Sequence, residues 1–252
     1  MPSPQPPDPL HVVGVGAHPD DVAVGAGGII ATYVRRGHRA TILNVTYGET
    51  MRPPGPEQEE AKRMRRREGE EIARHLGAAV QFLGVPGNTI IPSWDMKARL
   101  VDALRDIQAN VVLFPAPWDP HADHRNLSEA MRDVLYYMGH RGMAFNVPAC
   151  RLRSAWIYST EAETEELHNP DMLFDVSDVF SLKRDALADT RPIFGALGQA
   201  RLLETVEVSN RFWGMRCGVQ YAEPLFQTRG SMALARLTRH RDRVTELPLI
   251  DD

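Results

Sequence analysis

The apolar residues of this chain alternate between short continuous runs and longer stretches with helical spacing. The short runs are rich in valine, isoleucine and leucine, as strands buried on both faces are. They lie at 11–17, 40–48, 79–85, 110–117, 153–159 and 172–177. Helical spacing is found near 25–36, 57–76, 94–107, 126–139, 178–190 and 197–216. Strand followed by helix, repeated with short connections, predicts an α/β fold in which a mostly parallel sheet carries helices on both faces.

The same pattern indicates one domain. It contains no internal repeat and no interior linker, because prolines and glycines fall at the ends of the predicted strands. Residues 1–8 are rich in proline, and we expect them to form a disordered N-terminal segment. Residues 9–252 then form a single domain, with an extended C-terminal tail from about residue 227 that is mixed in charge and poorly periodic.

Composition narrows the range of partners. The chain has 29 Lys+Arg and 33 Asp+Glu, a formal net charge of −4, which argues against binding to nucleic acid. The arginine-rich run at 62–75 is interleaved with glutamates and indicates a solvated helix face. No apolar stretch approaches the ~20 residues of a membrane span, and the first residues lack the pattern of a signal peptide. We therefore expect a cytoplasmic protein without membrane association, with Cys150 and Cys217 as reduced thiols.

Polar residues collect at the ends of three predicted strands. The sequence AHPDD (17–21) follows the first strand, TYGE (46–49) ends the second, and APWDPHADH (116–124) follows the fourth. The carboxyl ends of parallel strands meet at one edge of a sheet, where α/β proteins bind their ligands. The three loops therefore predict a single site.

The first of these loops does not fit a dinucleotide site. It begins as Gly-x-Gly, but Pro19 stands at the third glycine of that motif, and no acid follows about 20 residues later to hold a ribose. A metal site is the better interpretation, because imidazole and carboxylate are both zinc ligands, and His18 and Asp21 are three residues apart. Asp20 and Asp21 can have different roles, because one can bind a metal ion while the other faces the water that the metal binds. In the alternative, an aspartate here only caps the following helix, which leaves His18 and the second acid unexplained.

The loop after the fourth strand has a similar composition. Asp119-Pro120 is a turn signal, and a predicted helix follows it. His121 and His124 are three residues apart at the helix start, so both can face the same side, and Asp123 lies between them. A polar helix entry with incidental histidines is the alternative. Two such motifs at one edge of the sheet favour a metal site.

These motifs resemble those of the PIG-L/LmbE-like zinc-dependent N-acetylglucosamine deacetylases. The similarity runs from about residue 10 to residue 226 and includes AHPDD, PHADH, VTYGE, Arg65-x-x-Glu68, FDVSDVFSLKRDALA and ETVEVSNRFWGMRCGVQYAEPLF. The last stretch is especially similar to the branch that deacetylates N-acetylglucosaminyl malate for bacillithiol synthesis. The resemblance implies a Rossmann-like (LmbE-like) fold and a homo-oligomer, either a trimer or a hexamer.

The resemblance also implies a metal centre at matching positions. His18, Asp21 and His124 would bind Zn²⁺, and Asp20 would act as the general base. A ligand set of two histidines and one aspartate also suits Fe²⁺ or Mn²⁺.

Four further residues receive roles in the same way. His121 would be the general acid or the oxyanion partner, and Asp123 would orient a histidine from behind. Arg65 would bind a small N-acetylated sugar substrate. Asn88 would stand in for an aspartate that relatives carry where this chain has Gly87.

The sequence thus predicts zinc-dependent hydrolysis of the N-acetyl amide of a GlcNAc-type sugar conjugate, such as N-acetylglucosaminyl malate. One alternative keeps the chemistry and changes the substrate to a chito-oligosaccharide, an antibiotic sugar or a mycothiol-type glycoside. Another is a non-catalytic protein that binds a metal or a sugar. Asp20 favours an enzyme, because a pure metal site does not need a second acid beside Asp21.

Overall fold

The computed structural model describes residues 9–49, 56–141, 145–161, 169–188, 195–228 and 243–247. Its strands are β1 (His11–Gly16), β2 (Arg39–Thr46), β3 (Ala79–Val85), β4 (Val111–Pro115), β5 (Ser154–Tyr158), β6 (Met172–Asp175), β7 (Ala222–Gln227) and β8 (Arg243–Val244). Its helices are α1 (Asp21–Arg35), α2 (Pro56–Leu76), α3 (Trp94–Ile107), α4 (Ala122–Met138), α5 (Phe180–Ala188) and α6 (Gly195–Cys217).

The strands form one sheet in the order β3-β2-β1-β4-β5-β7-β6-β8. From β3 to β5 every neighbouring pair is parallel, and β7 then pairs with β5 in the antiparallel direction. Because β1 lies between β2 and β4, the loops after β1 and β4 leave the sheet side by side. Open α/β sheets bind ligands in the crevice at such a point. The predicted α/β fold with a mostly parallel sheet is confirmed.

Helices cover both faces of the sheet and bury two apolar layers. One layer contains side chains of α1, α2, α5 and α6, and the other contains side chains of α3 and α4. Strand β1 contributes to both, since Val12 packs in the first layer and Val13 and Val15 in the second, all fully buried. The strand before the first motif is therefore held from both sides.

Helix α1 begins at Asp21, four residues before its predicted start, and is interrupted once. Ala26 has non-helical angles of φ −146° and ψ 16°. Just beyond this break, the N–H groups of Gly28 and Ile29 each donate to the carboxylate of Glu223 in β7, at 2.8 Å. A carboxylate at the start of a helical segment is favourable because unpaired N–H groups gather there. The C-terminal part of the chain thus holds the middle of α1.

Two strands were missed by the sequence analysis. The stretch of β7, AEPLFQ, contains a proline and a charged residue and does not alternate, so it lacks the signals of a strand. Strand β8 is only two residues long. Helix α4 begins at Ala122 rather than near residue 126. Residues 1–8 and most of the predicted tail lie outside the described residues, so the expectations for them stay predictions.

The remaining expectations concern membranes and cysteines. Among the helices of the described ranges, none combines the length and the apolar character needed to cross a bilayer. Cys150 is buried and Cys217 is half-buried, and both are thiols rather than disulfide partners.

Candidate metal and acid–base site

The turn after β1 brings His18, Asp20 and Asp21 to the crevice. The backbone N–H of His18 donates to Asp21 Oδ2 at 2.9 Å, which closes the turn. Asp20 occupies the N-cap position of α1, yet its side chain makes no capping hydrogen bond. Helix capping therefore does not explain this acid.

The loop after β4 is organised by Asp119 and His121. Asp119 Oδ1 accepts a hydrogen bond from the N–H of His121 at 2.7 Å. His121 Nδ1 accepts from the N–H of Asp123 at 3.1 Å and so caps α4. A neutral imidazole that accepts at Nδ1 carries its proton on Nε2. The His121 ring lies 4.6 Å from that of His18, centroid to centroid, so the two loops meet at these histidines.

Candidate ligand atoms from both loops converge. His124 Nε2 lies 3.1 Å from His18 Nδ1 and 3.1 Å from Asp21 Oδ2, and Asp21 Oδ1 lies 3.5 Å from His18 Nδ1. Ring nitrogens of His18, His121 and His124 lie within 4.8 Å of one another. His18, Asp21 and His124 are all buried. Buried acceptors this close together repel each other unless a proton or a metal ion lies among them, so this donor set fits a metal.

The electrostatics of the cluster favour positive charge. Burial disfavours the charged form of His18, but Asp21 and Asp123 outweigh burial and raise the pKa of His18 to about 9. Burial is likewise outweighed at His124, where Asp21 and Asp119 raise the pKa to about 11. Although burial alone would raise it, the pKa of Asp21 is held well below its usual range by the two imidazoles. The cluster therefore stabilises a cation.

Each of these two histidines has a carboxylate at its other nitrogen. Asp123 Oδ2 lies 3.3 Å from His18 Nε2, and Asp119 Oδ2 lies 2.9 Å from His124 Nδ1. Thr160 Oγ1 donates to that same Asp119 oxygen at 2.5 Å. Partners of this kind fix the orientation and the tautomer of a ligating histidine. Asp123 lies next to His18, and its role in orienting that histidine stays a prediction. Asp119 was predicted only as part of a turn, and its contact with His124 was not predicted.

Arg65 reaches the site from α2. Its Nη2 donates to Asp20 Oδ1 at 2.7 Å, and its Nη1 donates to Glu68 Oε2 at 2.6 Å. Although burial opposes its charge, the two carboxylates raise the pKa of Arg65. Burial raises the pKa of Glu68 to about 7, against the opposing effect of Arg65. Only 5% of Arg65 is exposed, so the solvated face predicted for this helix does not include it.

The second oxygen of Asp20 remains available. The Asp20 side chain is 29% exposed, and its ion pair with Arg65 uses Oδ1. Within the part of the chain that the structure describes, no hydrogen bond is made to Oδ2. This oxygen can accept a proton from a molecule in the crevice.

Loops after β2 and β3 close another side of the site. Asn88 has φ 55°, and its backbone N–H donates to Asp123 Oδ2 at 2.7 Å, while its side chain is exposed. Gly87 N–H donates to Glu49 Oε1 at 3.4 Å. Glu49 is buried, and its Oε2 has no partner among the described residues. Glu49 belongs to TYGE at the end of the second predicted strand, and no role was predicted for it.

A family match covers this site. Residues 13–135, which carry all of these side chains except Thr160, match the sequence model of the PIG-L family, described as GlcNAc-PI de-N-acetylase. This region of the chain is therefore similar to the PIG-L family.

Individual relatives differ in activity. The chain is 25% identical over 190 residues to diacetylchitobiose deacetylase of Thermococcus kodakarensis, covering 71% of this chain and 68% of the relative. It is 26% identical over 186 residues to 4-oxalmesaconate hydratase of Pseudomonas putida, covering 69% and 70%. The structure of N,N'-diacetylchitobiose deacetylase from Pyrococcus horikoshii matches with a TM-score of 0.75 at 25% identity, covering 86% of this chain and 83% of that chain. The reaction must therefore be argued from the site.

Proposed function

We propose that this protein is a metal-dependent deacetylase that hydrolyses the N-acetyl amide of a small sugar conjugate. The position of Asp20 carries the proposal: a carboxylate with one available oxygen lies next to three converging metal-ligand side chains. A purely structural metal site has no use for this additional acid. The two similar diacetylchitobiose deacetylases support the same chemistry here.

His18, Asp21 and His124 would hold the metal. Two imidazoles and one carboxylate are a ligand set for Zn²⁺, with Fe²⁺ and Mn²⁺ as alternatives. A metal ion bound there supplies Lewis acidity, polarising the amide carbonyl and making water more acidic.

Asp20 would move the proton. An amide resists water because its carbonyl is a weak electrophile and its amine is a poor leaving group. Asp20 Oδ2 accepts a proton from the attacking water, and the resulting carboxylic acid returns that proton to the amine as the C–N bond breaks. The products are acetate and a primary amine.

Of the two roles that the sequence allows for His121, we favour the oxyanion partner. Its Nδ1 already accepts a hydrogen bond from the N–H of Asp123, which leaves Nε2–H to donate to the developing oxyanion. Burial lowers the pKa of His121, and the positive charges of His18 and His124 lower it further. Both observations support a neutral hydrogen-bond donor.

The substrate we propose is a GlcNAc-type sugar conjugate, with N-acetylglucosaminyl malate in bacillithiol synthesis as the first candidate. Its support is the similarity of residues 204–226 to that branch. A chito-oligosaccharide is the main alternative because of the diacetylchitobiose deacetylases, followed by an antibiotic sugar and a mycothiol-type glycoside. Substrate contacts by Arg65 and by the exposed side chain of Asn88 stay predictions. Glu49 Oε2 adds a buried acceptor suited to a sugar hydroxyl.

A hydratase is the second candidate function. It is favoured by the similarity to 4-oxalmesaconate hydratase. Activated water and an acid–base carboxylate would serve addition to a carbon–carbon double bond as well as attack on an amide. The two reactions differ in product, since only deacetylation releases a primary amine.

The test measures primary-amine release from N-acetylglucosaminyl malate and from N,N'-diacetylchitobiose by the zinc-loaded protein. We expect Asp20→Ala to lose about 10²–10⁴-fold in turnover while keeping its metal, with Asp20→Asn as the isosteric control. Turnover at the wild-type rate in Asp20→Ala would contradict the role of this residue. Absence of amine release, together with loss of absorbance from an unsaturated dicarboxylate, would indicate the hydratase. Metal binding without either reaction would indicate a non-catalytic protein.

We also propose a cytoplasmic homo-oligomer, a trimer or a hexamer, that binds neither nucleic acid nor membranes. The support is the composition described above and the resemblance to the deacetylase family. Light scattering coupled to size-exclusion chromatography measures the oligomeric state directly.

A further inference from the structure

We propose that Arg65 and Glu68 are positioning residues that keep one oxygen of Asp20 available for proton transfer. The proposal rests on the general-base role of Asp20 in the proposed function. Arg65 spans two carboxylates, with Nη2 on Asp20 Oδ1 and Nη1 on Glu68 Oε2. Only 7% of the Arg65 side chain and 8% of the Glu68 side chain are exposed, so water competes little for either bond.

The surroundings of Arg65 leave the guanidinium little freedom. Gly48, at φ +69°, lies against it so closely that a Cβ there would be 3.3 Å from both Nε and Nη2. Gly69, one turn along α2 from Arg65, lets the helix approach both the sheet and the turn after β1, since a Cβ there would lie 2.8 Å from Phe82 and 3.3 Å from Pro19. A planar guanidinium that is held in this way fixes the orientation of the carboxylates that it binds.

Glu68 decides how Arg65 binds Asp20. A guanidinium facing a single carboxylate tends to form a bidentate pair, with two parallel N–H···O bonds to the two oxygens. Such a pair would engage Asp20 Oδ2, the oxygen needed for the proton. Because Glu68 binds Nη1, the two terminal nitrogens cannot both bind Asp20. The remaining edge of the guanidinium, whose Nε has no partner among the described residues, lies next to Gly48, and Arg65 reaches Asp20 through Nη2. Glu68 thereby keeps Oδ2 free without touching substrate.

Steady-state kinetics test this role. Glu68→Ala is expected to lower kcat for amine release about 10²-fold with KM unchanged, because the base is misplaced while substrate binding is not. Glu68→Gln keeps an acceptor for Nη1 and should restore most of the activity. Glu70→Ala is the matched control, because it breaks an exposed 3.0 Å ion pair with Arg66 on the same helix and should leave kcat at the wild-type value. A raised KM with unchanged kcat in Glu68→Ala would overturn the proposal.

A double-mutant cycle separates positioning from general structural support. In an Asp20→Ala background, Glu68→Ala should cause no further loss, since its effect passes through Asp20. Losses that multiply would overturn the proposal.

A crystal structure of Glu68→Ala tests the geometry without any activity. We expect both Asp20 oxygens to be bound by Arg65, and a retained single bond to Oδ1 would overturn the proposal. This structure decides the question even if the wild-type protein releases no amine, a result that would count against the deacetylase function itself. If Glu68→Ala does not fold, Glu68→Leu fills a similar volume and is interpreted in the same way.

Discussion

Two clusters of buried charge contact helix α1, one at its start and one near its middle. The ligand cluster comprises His18, Asp21 and His124. The lysine cluster comprises Lys183, Glu223 and Asn210. In the lysine cluster every charge has its counterpart, since Lys183 Nζ donates to Glu223 Oε1 at 2.7 Å and to Asn210 Oδ1 at 2.8 Å.

The ligand cluster contains no lysine or arginine, so its positive charge depends on protons or a metal ion bound by its histidines. Its imidazole nitrogens and carboxylate oxygens face one another at 3.1–3.5 Å, and a proton or a metal ion must come from outside to make that arrangement favourable. Lys183 and Glu223 are both fully buried ionisable residues, yet they pair with each other and require no additional ion. Buried charge therefore does not by itself mark a functional site. A cluster of ligand side chains that must bind protons or a metal ion does.

The largest effect on stability is expected from Lys183→Met. The substitution leaves the Glu223 carboxylate buried without its cation, which should lower the free energy of unfolding by about 3–5 kcal/mol. Chemical denaturation measures this loss, and metal content should stay at the wild-type level. The double variant Lys183→Met/Glu223→Gln should recover part of the stability. A loss below about 1 kcal/mol, as for a surface ion pair, would contradict the comparison.

Asp119→Asn should act on the ligand cluster instead. Asp119 contacts His124 Nδ1, the ring nitrogen that faces away from the other ligands. Replacing a carboxylate that supports a metal-binding histidine in this way typically weakens metal binding by about 10–100-fold. Competition with a chelator measures the affinity. Asp133→Asn on α4, the helix that carries His124, removes an exposed pair with Lys97, and as the control it should leave the affinity unchanged. Equal affinity in the two variants would show that Asp119 does not support the metal site.

The pH dependence of the stability of the metal-free protein should reveal the proton that His18 holds. The folded pKa of His18 is about 9, above its ordinary value of 6.5. Its contribution to stability is thus fully present below about pH 6.5 and is lost as the pH rises through about 9. Thermal unfolding between pH 6 and 10 should show this decline, and His18→Gln should reduce it. Stability of the metal-free protein that rises across this range would contradict the prediction.

Thr160→Val should have the smallest effect. It removes one hydrogen bond to Asp119 Oδ2, worth about 1 kcal/mol, and so should weaken metal binding by about fivefold. The same chelator competition detects the change. A loss as large as that of Asp119→Asn would mean that Thr160 supports the site in some further way.

Much of the fold follows from local pattern. Continuous apolar runs such as that of β1 predict buried strands because parallel strands are covered on both faces, and the helices between them have clear spacing. Strand β7 could not be predicted because its buried charge, Glu223, is stabilised by partners that are distant in sequence, Lys183 at 40 residues and the N–H groups in α1 at about 195. A local pattern does not contain that information.

Part of the candidate site could likewise be predicted from the sequence, and part could not. His18, Asp20 and Asp21 are close in sequence, and His124 lies at the start of the helix that follows the neighbouring parallel strand, so their proximity could be predicted. Arg65 looks like its exposed neighbours until the contact of α2 with the turn after β1 is known. The roles of Asp119 and Glu49 could not be predicted, because they depend on contacts with His124 and with the Gly87 N–H that are visible only in the structure.

The hydrogen bond from Gly28 to Glu223 joins residues 195 positions apart in the chain. During synthesis, α1 leaves the ribosome early, whereas its partner in β7 is added only when most of the protein has been made. Contacts of such separation form late, because a long loop must close first. All the residues of the ligand cluster lie in the first half of the chain, yet the helix that carries Asp21 is anchored by the second. The helix that carries Asp21 therefore gains this contact only after most of the chain has been synthesised.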